Sequence, residues 1–218
     1  MNELKIYSNI KRNGHSLAIF GATALLIAMS LFIGSGLFGI GLILFTLGAI
    51  SLILGIAKII EPEVTFEFTE NGFVYFHRRG KVTLTWDNIQ RIDIPRVISG
   101  IEQVELPYVG IKLKRINAML DTISPRLATG LLTEQRSLMM TAGAQSDDEQ
   151  VLENHLNHEF MPLTVNEERY RGVLGMFGRR CLLLNDELGY HFYIPRDSAD
   201  RELTDFVQLL RQKKANSL

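Results

Sequence analysis

Residues 17–57 read LAIFGATALLIAMSLFIGSGLFGIGLILFTLGAISLILGIA, a run of 41 residues without one Asp, Glu, Lys, Arg or His. A helix rises ~1.5 Å per residue and the hydrocarbon core of a bilayer is ~30 Å thick, so the run is about twice as long as one crossing needs. Gly34-Ser35-Gly36 interrupts it near the middle. Two spans are therefore expected, Leu17 to Ile33 and Leu37 to Ala57, as a transmembrane hairpin within residues 17–60.

The flanks orient the hairpin. Lys5, Lys11 and Arg12 precede the first span, Lys58 follows the second, and the connection between them carries no charge. By the positive-inside rule both ends stay in the cytoplasm, with the Gly-Ser-Gly turn outside. Residues 1–16 are then a cytoplasmic segment and 61–218 a cytoplasmic domain. The competing reading of residues 1–36 is a cleaved signal peptide; against it, no Ala-x-Ala-like site follows the first apolar run and a second begins at once.

Within the second span Gly41, Gly48 and Gly55 recur every seven residues, with Ser51 on nearly the same face; Gly21 and Ala28 repeat the spacing in the first. Small residues at heptad spacing let helices approach closely in lipid, where apolar burial alone gives no drive. The three glycines are thus helix-packing residues, serving the hairpin itself or a homodimer. The run has no ionisable side chain at depth, which argues against a transporter, a proton relay or an intramembrane enzyme.

The formal net charge of −1 and mean hydropathy of +0.10 average an apolar hairpin with a polar remainder. A single cysteine, Cys181, excludes an internal disulfide framework and fits a reducing compartment. No repeat or low-complexity tract stands out.

After Glu61-Pro62 the period changes from helical to alternating. Val64, Phe66 and Phe68 alternate with Thr65, Glu67 and Thr69, and Asn71-Gly72 supplies a tight turn of the kind that favours positive φ. Phe73–His77, Lys81–Trp86 and Ile89–Ile94 read as the next strands, with a further one at Val109–Leu113. Short strands joined by tight turns make an antiparallel meander that buries one face. The run from Val64 to Tyr75, then Lys81–Trp86 followed directly by Asp87-Asn88-Ile89, resembles the opening strands of bacterial pleckstrin-homology-like domains. Small bacterial membrane proteins with a two-helix hairpin ahead of such a domain form a recognisable group, and the likeness covers residues 17 to about 115. It implies a binding or scaffolding module, with no catalytic residues to carry over.

Beyond that sheet, residues 117–218 read as mainly helical. Ser124-Pro125 is an N-cap with a first-turn proline, opening a helix to about Met140. Ser146-Asp-Asp-Glu149 has the form of a capping box and opens an acidic helix through about His158. Met161–Val165 is a short strand. A helix from Val173 ends at Gly189, and Tyr190–Ile194 alternates before Pro195. Ser198 caps a closing amphipathic helix with Leu203, Phe206, Val207 and Leu210 inward. The fold class is α+β: a transmembrane hairpin, a pleckstrin-homology-like antiparallel sheet over 61–116, added helices, and a C-terminal amphipathic helix.

Few residues carry chemistry. His155 and His158 stand beside Glu153 and Glu159, but the spacing is not H-E-x-x-H, so a solvated polar face is expected and no metal site is assigned. Cys181 lies on an apolar face with no neighbouring His, as an inert buried thiol would. Gly172, Gly175 and Gly178 near Arg179-Arg180 match no nucleotide-binding pattern. His77 and His191 read as structural and Trp86 as a core anchor. That leaves the cationic turn His77-Arg78-Arg79-Gly80-Lys81. Held close to a bilayer, Arg78, Arg79 and Lys81 could meet anionic headgroups, each contributing about 1 kcal/mol, although a charged turn also keeps a hairpin soluble. The expected partners are the bilayer, anionic headgroups, and a membrane-protein partner or second copy; no cofactor, nucleic acid or catalysis is expected. Two rivals are a membrane-anchored metal-dependent enzyme built on the helical half, and a subunit that uses the hairpin to assemble into a membrane complex.

Overall fold

In the computed structural model, residues 5–7, 13–34, 37–60, 62, 64–99, 102–145 and 161–217 are described. The chain divides into two compact units, residues 8–63 and residues 1–7 together with 64–218.

The first unit is a pair of helices, α1 (Gly14–Gly34) and α2 (Phe38–Ile60). The first begins three residues earlier than the charge-free run suggests, after Asn13 at φ 65°, because a helix end tolerates the polar His15 and Ser16 that the apolar count leaves out. The small residues face each other. A Cβ on Gly48 would lie 3.0 Å from that of Ala24, one on Gly41 would lie 2.8 Å from the Phe32 ring, and one on Gly55 would collide with the backbone of Ala18. Gly21 is just as tight against Gly48 and Leu52. The Ser51 hydroxyl donates to the Leu17 carbonyl at 2.9 Å, joining the two helices by a hydrogen bond.

In the second unit, β1 (Lys5–Tyr7), β2 (Val64–Phe68), β3 (Gly72–His77) and β4 (Gly80–Thr85) form an antiparallel sheet in that order. A second sheet orders β11 (Phe192–Pro195), β8 (Tyr108–Leu113) and β5 (Ile89–Asp93). Two ribbons stand apart: β6 (Arg96–Ser99) with β7 (Glu102–Glu105), and β9 (Leu163–Val165) with β10 (Glu168–Tyr170). The helices are α3 (Asn117–Leu120), α4 (Pro125–Glu134), α5 (Arg136–Gln145), α6 (Gly172–Leu188) and α7 (Leu203–Ala215).

Aromatic side chains build the main core. Phe66 stacks on Tyr75 at 5.1 Å and meets Phe206 of α7 at 4.8 Å, so the closing helix reaches the first sheet, while Arg211 donates to the Ile92 carbonyl at 2.9 Å and ties the same helix to β5 of the second. Trp86, 2% exposed, packs against both Phe68 and Phe73 as the expected anchor. A smaller core joins Leu138 and Met139 of α5 to Leu183, Leu184 and Tyr193.

Several details differ from the sequence reading. Asn71-Gly72 does turn the chain, but neither residue has positive φ; glycine is needed because a Cβ on Gly72 would collide with the Leu84 carbonyl across the sheet. The helix expected from Pro125 to Met140 breaks at Gln135, whose buried amide donates to the Tyr193 carbonyl at 3.2 Å and is held there. Ser198 does not cap α7. It sits buried in a 3-10 turn with its hydroxyl 3.2 Å from that of Tyr75, and Glu202 takes the N-cap position. The helix expected over 146–158, with His155 and His158, lies outside the described residues.

Candidate functional site

The cationic turn between β3 and β4 is not a free loop. Gly80 adopts φ +148°, and a Cβ there would lie 2.6 Å from Ser124 Oγ, the hydroxyl that accepts from Leu127 N and caps α4. The turn runs on along that helix. The aliphatic stem of Arg79 fills the space a side chain on Gly130 would need, with its Cδ 2.5 Å from such a Cβ. At the far end Glu134 takes two partners: Arg78 Nη2 donates to Oε1 at 2.9 Å and His77 Nε2 lies 3.1 Å from Oε2. Nδ1 of His77 accepts from the Arg79 backbone N–H at 3.3 Å, which leaves Nε2 as the nitrogen that presents a proton to Glu134. The hydrogen bond from His77, helped by Arg78, outweighs burial and holds the Glu134 carboxyl down at about 2. Of the three cations, then, Arg78 is bound to a carboxylate, Arg79 is packed by its stem, and Lys81 is exposed with no ion pair among the described residues.

A second polar group lies where α3 meets the β9–β10 ribbon. Asn117, 8% exposed, donates to the Val165 carbonyl at 2.9 Å and to Glu168 Oε2 at 2.7 Å, while Asn166 donates to its Oδ1 at 2.7 Å. The Tyr170 hydroxyl lies 2.6 Å from Glu168 Oε2 and 2.8 Å from Asp121 Oδ1. One phenol carries one proton, so it serves these carboxylates in turn. Hydrogen bonds from Tyr170 and Asn117 lower the Glu168 carboxyl, and burial followed by the two carboxylates raises the Tyr170 hydroxyl. Sequence reasoning missed this cluster, since Asn117 and Tyr170 come together only through the turn at Asn166 (φ 49°) and Glu167 (φ 69°). Asn-Glu is a weak form of the Asn-Gly signal for such a turn.

The remaining candidates are structural in their surroundings. Gly41, Gly48 and Gly55 all face α1, so the glycine face is occupied within the hairpin. Cys181 is 1% exposed and burial raises its thiol far above the usual range. His191 accepts from Leu113 N–H at 3.1 Å, and burial lowers it to about 4. Among the described residues no three His, Cys, Asp or Glu side chains converge to hold a metal.

Residues 66–216 match the family described as a protein of unknown function, DUF2982. The chain belongs to that family. The family span opens within β2 and closes at the end of α7, so it takes in both ribbons, the cationic turn and the Asn117–Tyr170 cluster, and leaves β1 and the two apolar helices outside. No curated protein and no solved structure matches the chain.

Proposed function

We propose that this chain is a membrane-anchored, non-catalytic binding or scaffolding protein of the bacterial inner membrane, spanning it twice with both termini cytoplasmic. The observation that carries the reading is the exposure of α1 and α2. Only 17% and 22% of their most apolar windows is buried, and Leu26 and Ile33 stand 69% and 84% exposed. A core helix of a water-soluble protein would be covered by its own chain, whereas lipid provides the cover these faces lack. Three exposed hydroxyls agree with that solvent: Thr23, Ser30 and Thr46 each donate to a carbonyl three or four residues back, so these three are satisfied within their own helix.

The pairing of β1 with β2, one before the hairpin and one after, supports placing both flanks on the same side, and Lys5, Lys11, Arg12 and Lys58 favour the cytoplasm. Sheets of four and three antiparallel strands with α7 packed against both support the pleckstrin-homology-like reading; the ribbons and α3–α6 are additions to it. Lys81, with Arg79 beside it, is the group best placed on the turn to meet an anionic headgroup. Tethering replaces bulk encounter with a high effective concentration of any membrane partner.

Affinity capture of the full chain from mild detergent, with hairpin intact and with the hairpin residues made polar, tests the role. Partners that depend on the intact hairpin are expected in the membrane fraction. A chain that stays dispersed and monodisperse without detergent would overturn the reading.

A further inference from the structure

The first sheet is assembled from two parts of the chain that the hairpin separates. β1 pairs with β2 in the register Lys5↔Glu67, Ile6↔Phe66 and Tyr7↔Val64, with an irregularity between Ile6 and Tyr7. Ile6 is fully buried and belongs to the main core, alongside Phe66 and Phe73. The family span starts at residue 66, so its outermost strand is completed by residues that come from outside it.

We propose that Lys5–Tyr7 is a sealing strand that closes the β2 edge of this domain against the β2 edge of a second copy. An uncovered edge offers a row of free backbone N–H and C=O groups, and β2 is well suited to pair with itself. An antiparallel alignment centred on Phe66 sets Phe66 opposite its counterpart, Thr65 opposite Glu67, and Val64 opposite Phe68, so apolar residues meet and no like charges face each other. β1 removes that possibility in cis. It supplies the ladder partner, fills the core with Ile6, and places Lys5 opposite Glu67 in sequence register. The seal matters more if the domain is held at a bilayer, where copies share a plane and their effective concentration is high; that step rests on the membrane reading, while the pairing itself does not.

The test uses the full chain in mild detergent. With Lys5→Cys and Glu67→Cys together, mild oxidation is expected to give a cross-link within one chain, and Lys5→Cys with Glu70→Cys is expected to give none. Cross-links only between chains, or none at the paired positions, overturn the proposal. Adding Ile6→Asp to the paired cysteines puts a carboxylate in the core position and is expected to abolish the internal cross-link and shift the mass by light scattering from one chain to two. In the chain with its native Glu67, Ile6→Asp with Glu67→Lys is expected to return to one chain, because an edge lysine blocks strand pairing, whereas a merely misfolded chain would not be rescued. Release of the strand without dimerisation, or dimerisation unaffected by Glu67→Lys, overturns the sealing role. An internal cross-link in a chain that needs no detergent would remove the membrane reading and leave the seal standing.

Discussion

Nε2 of His77 lies 3.1 Å from Oε2 of Glu134, and this contact fastens the β3–β4 turn to the last turn of α4. The same carboxylate binds Arg78, so the charges nearest the tip are partly neutralised from within. Arg78 and Lys81 are both exposed, and Lys81 is the one with no ion pair among the described residues.

The turn's cations should therefore separate by role. Lys81→Ala is expected to leave stability within about 0.5 kcal/mol of the parent while weakening binding to anionic vesicles by about 1 kcal/mol, or roughly fivefold. Glu134→Ala should cost about 1–2 kcal/mol in unfolding, since it strands His77 as well as Arg78, and should not weaken vesicle binding. Sedimentation with vesicles containing phosphatidylglycerol, alongside denaturant unfolding of the same variants, checks both. Vesicle binding unchanged by Lys81→Ala, and by the triple change of Arg78, Arg79 and Lys81 to Ala, would end the lipid role.

Acid should act on two residues in succession. His191 is lowered from 6.5 to about 4, so the unfolded chain binds its proton first and the folded state loses stability as pH falls from 6.5 to about 4. Glu134 is lowered from 4.5 to about 2; its contribution is full above 4.5 and is lost as pH falls from there toward 2. His191→Asn keeps an acceptor for the Leu113 N–H and cannot titrate, so it should flatten the upper window, a difference on the order of 3 kcal/mol by pH 4. Emission from Trp86, the chain's one tryptophan, reports the unfolding of this unit directly.

The hairpin glycines should be graded by what lies opposite them. Gly55→Val drives a side chain into the backbone of Ala18, which cannot rotate away, and should cost about 1–3 kcal/mol or more. Gly41→Ala meets the Phe32 ring, which can shift, and should cost less. Gly39→Ala meets nothing within 4 Å and should be neutral or slightly favourable. Helix content followed against temperature in detergent, and separately the oligomeric state, would show whether these changes loosen the hairpin or an association between chains.

What the sequence made legible follows from how local each signal is. The charge-free run, the alternation from Val64 onward and Gly189 at the end of α6 are short-range patterns, and each corresponds to an element of the structure. Features set by distant partners were not readable: Ser198 has a good capping side chain but spends it on Tyr75, and Gln135 ends a helix because of Tyr193. Charge alone marked Arg78, Arg79 and Lys81 as equals, and only the position of α4 divides them. Lys5–Tyr7 is too short to announce a strand, and its partner lies beyond a hairpin of two full helices.

That last separation can be undone, because Tyr7 and Val64 are register partners across β1 and β2. Replacing residues 8–63 with Asn-Gly would join two facing strand ends by a two-residue turn of the type antiparallel strands favour. The resulting chain should be soluble and monomeric without detergent, since it loses the exposed apolar helices and keeps Ile6 in the core. A fragment beginning at Val64 lacks that side chain, whose burial contributes about 1.5–3 kcal/mol, and bares the β2 edge. It should unfold at lower denaturant by Trp86 emission and self-associate. Equal midpoints and equal mass for the two proteins would mean that β1 contributes neither packing nor edge protection, and that the domain is complete from β2 onward.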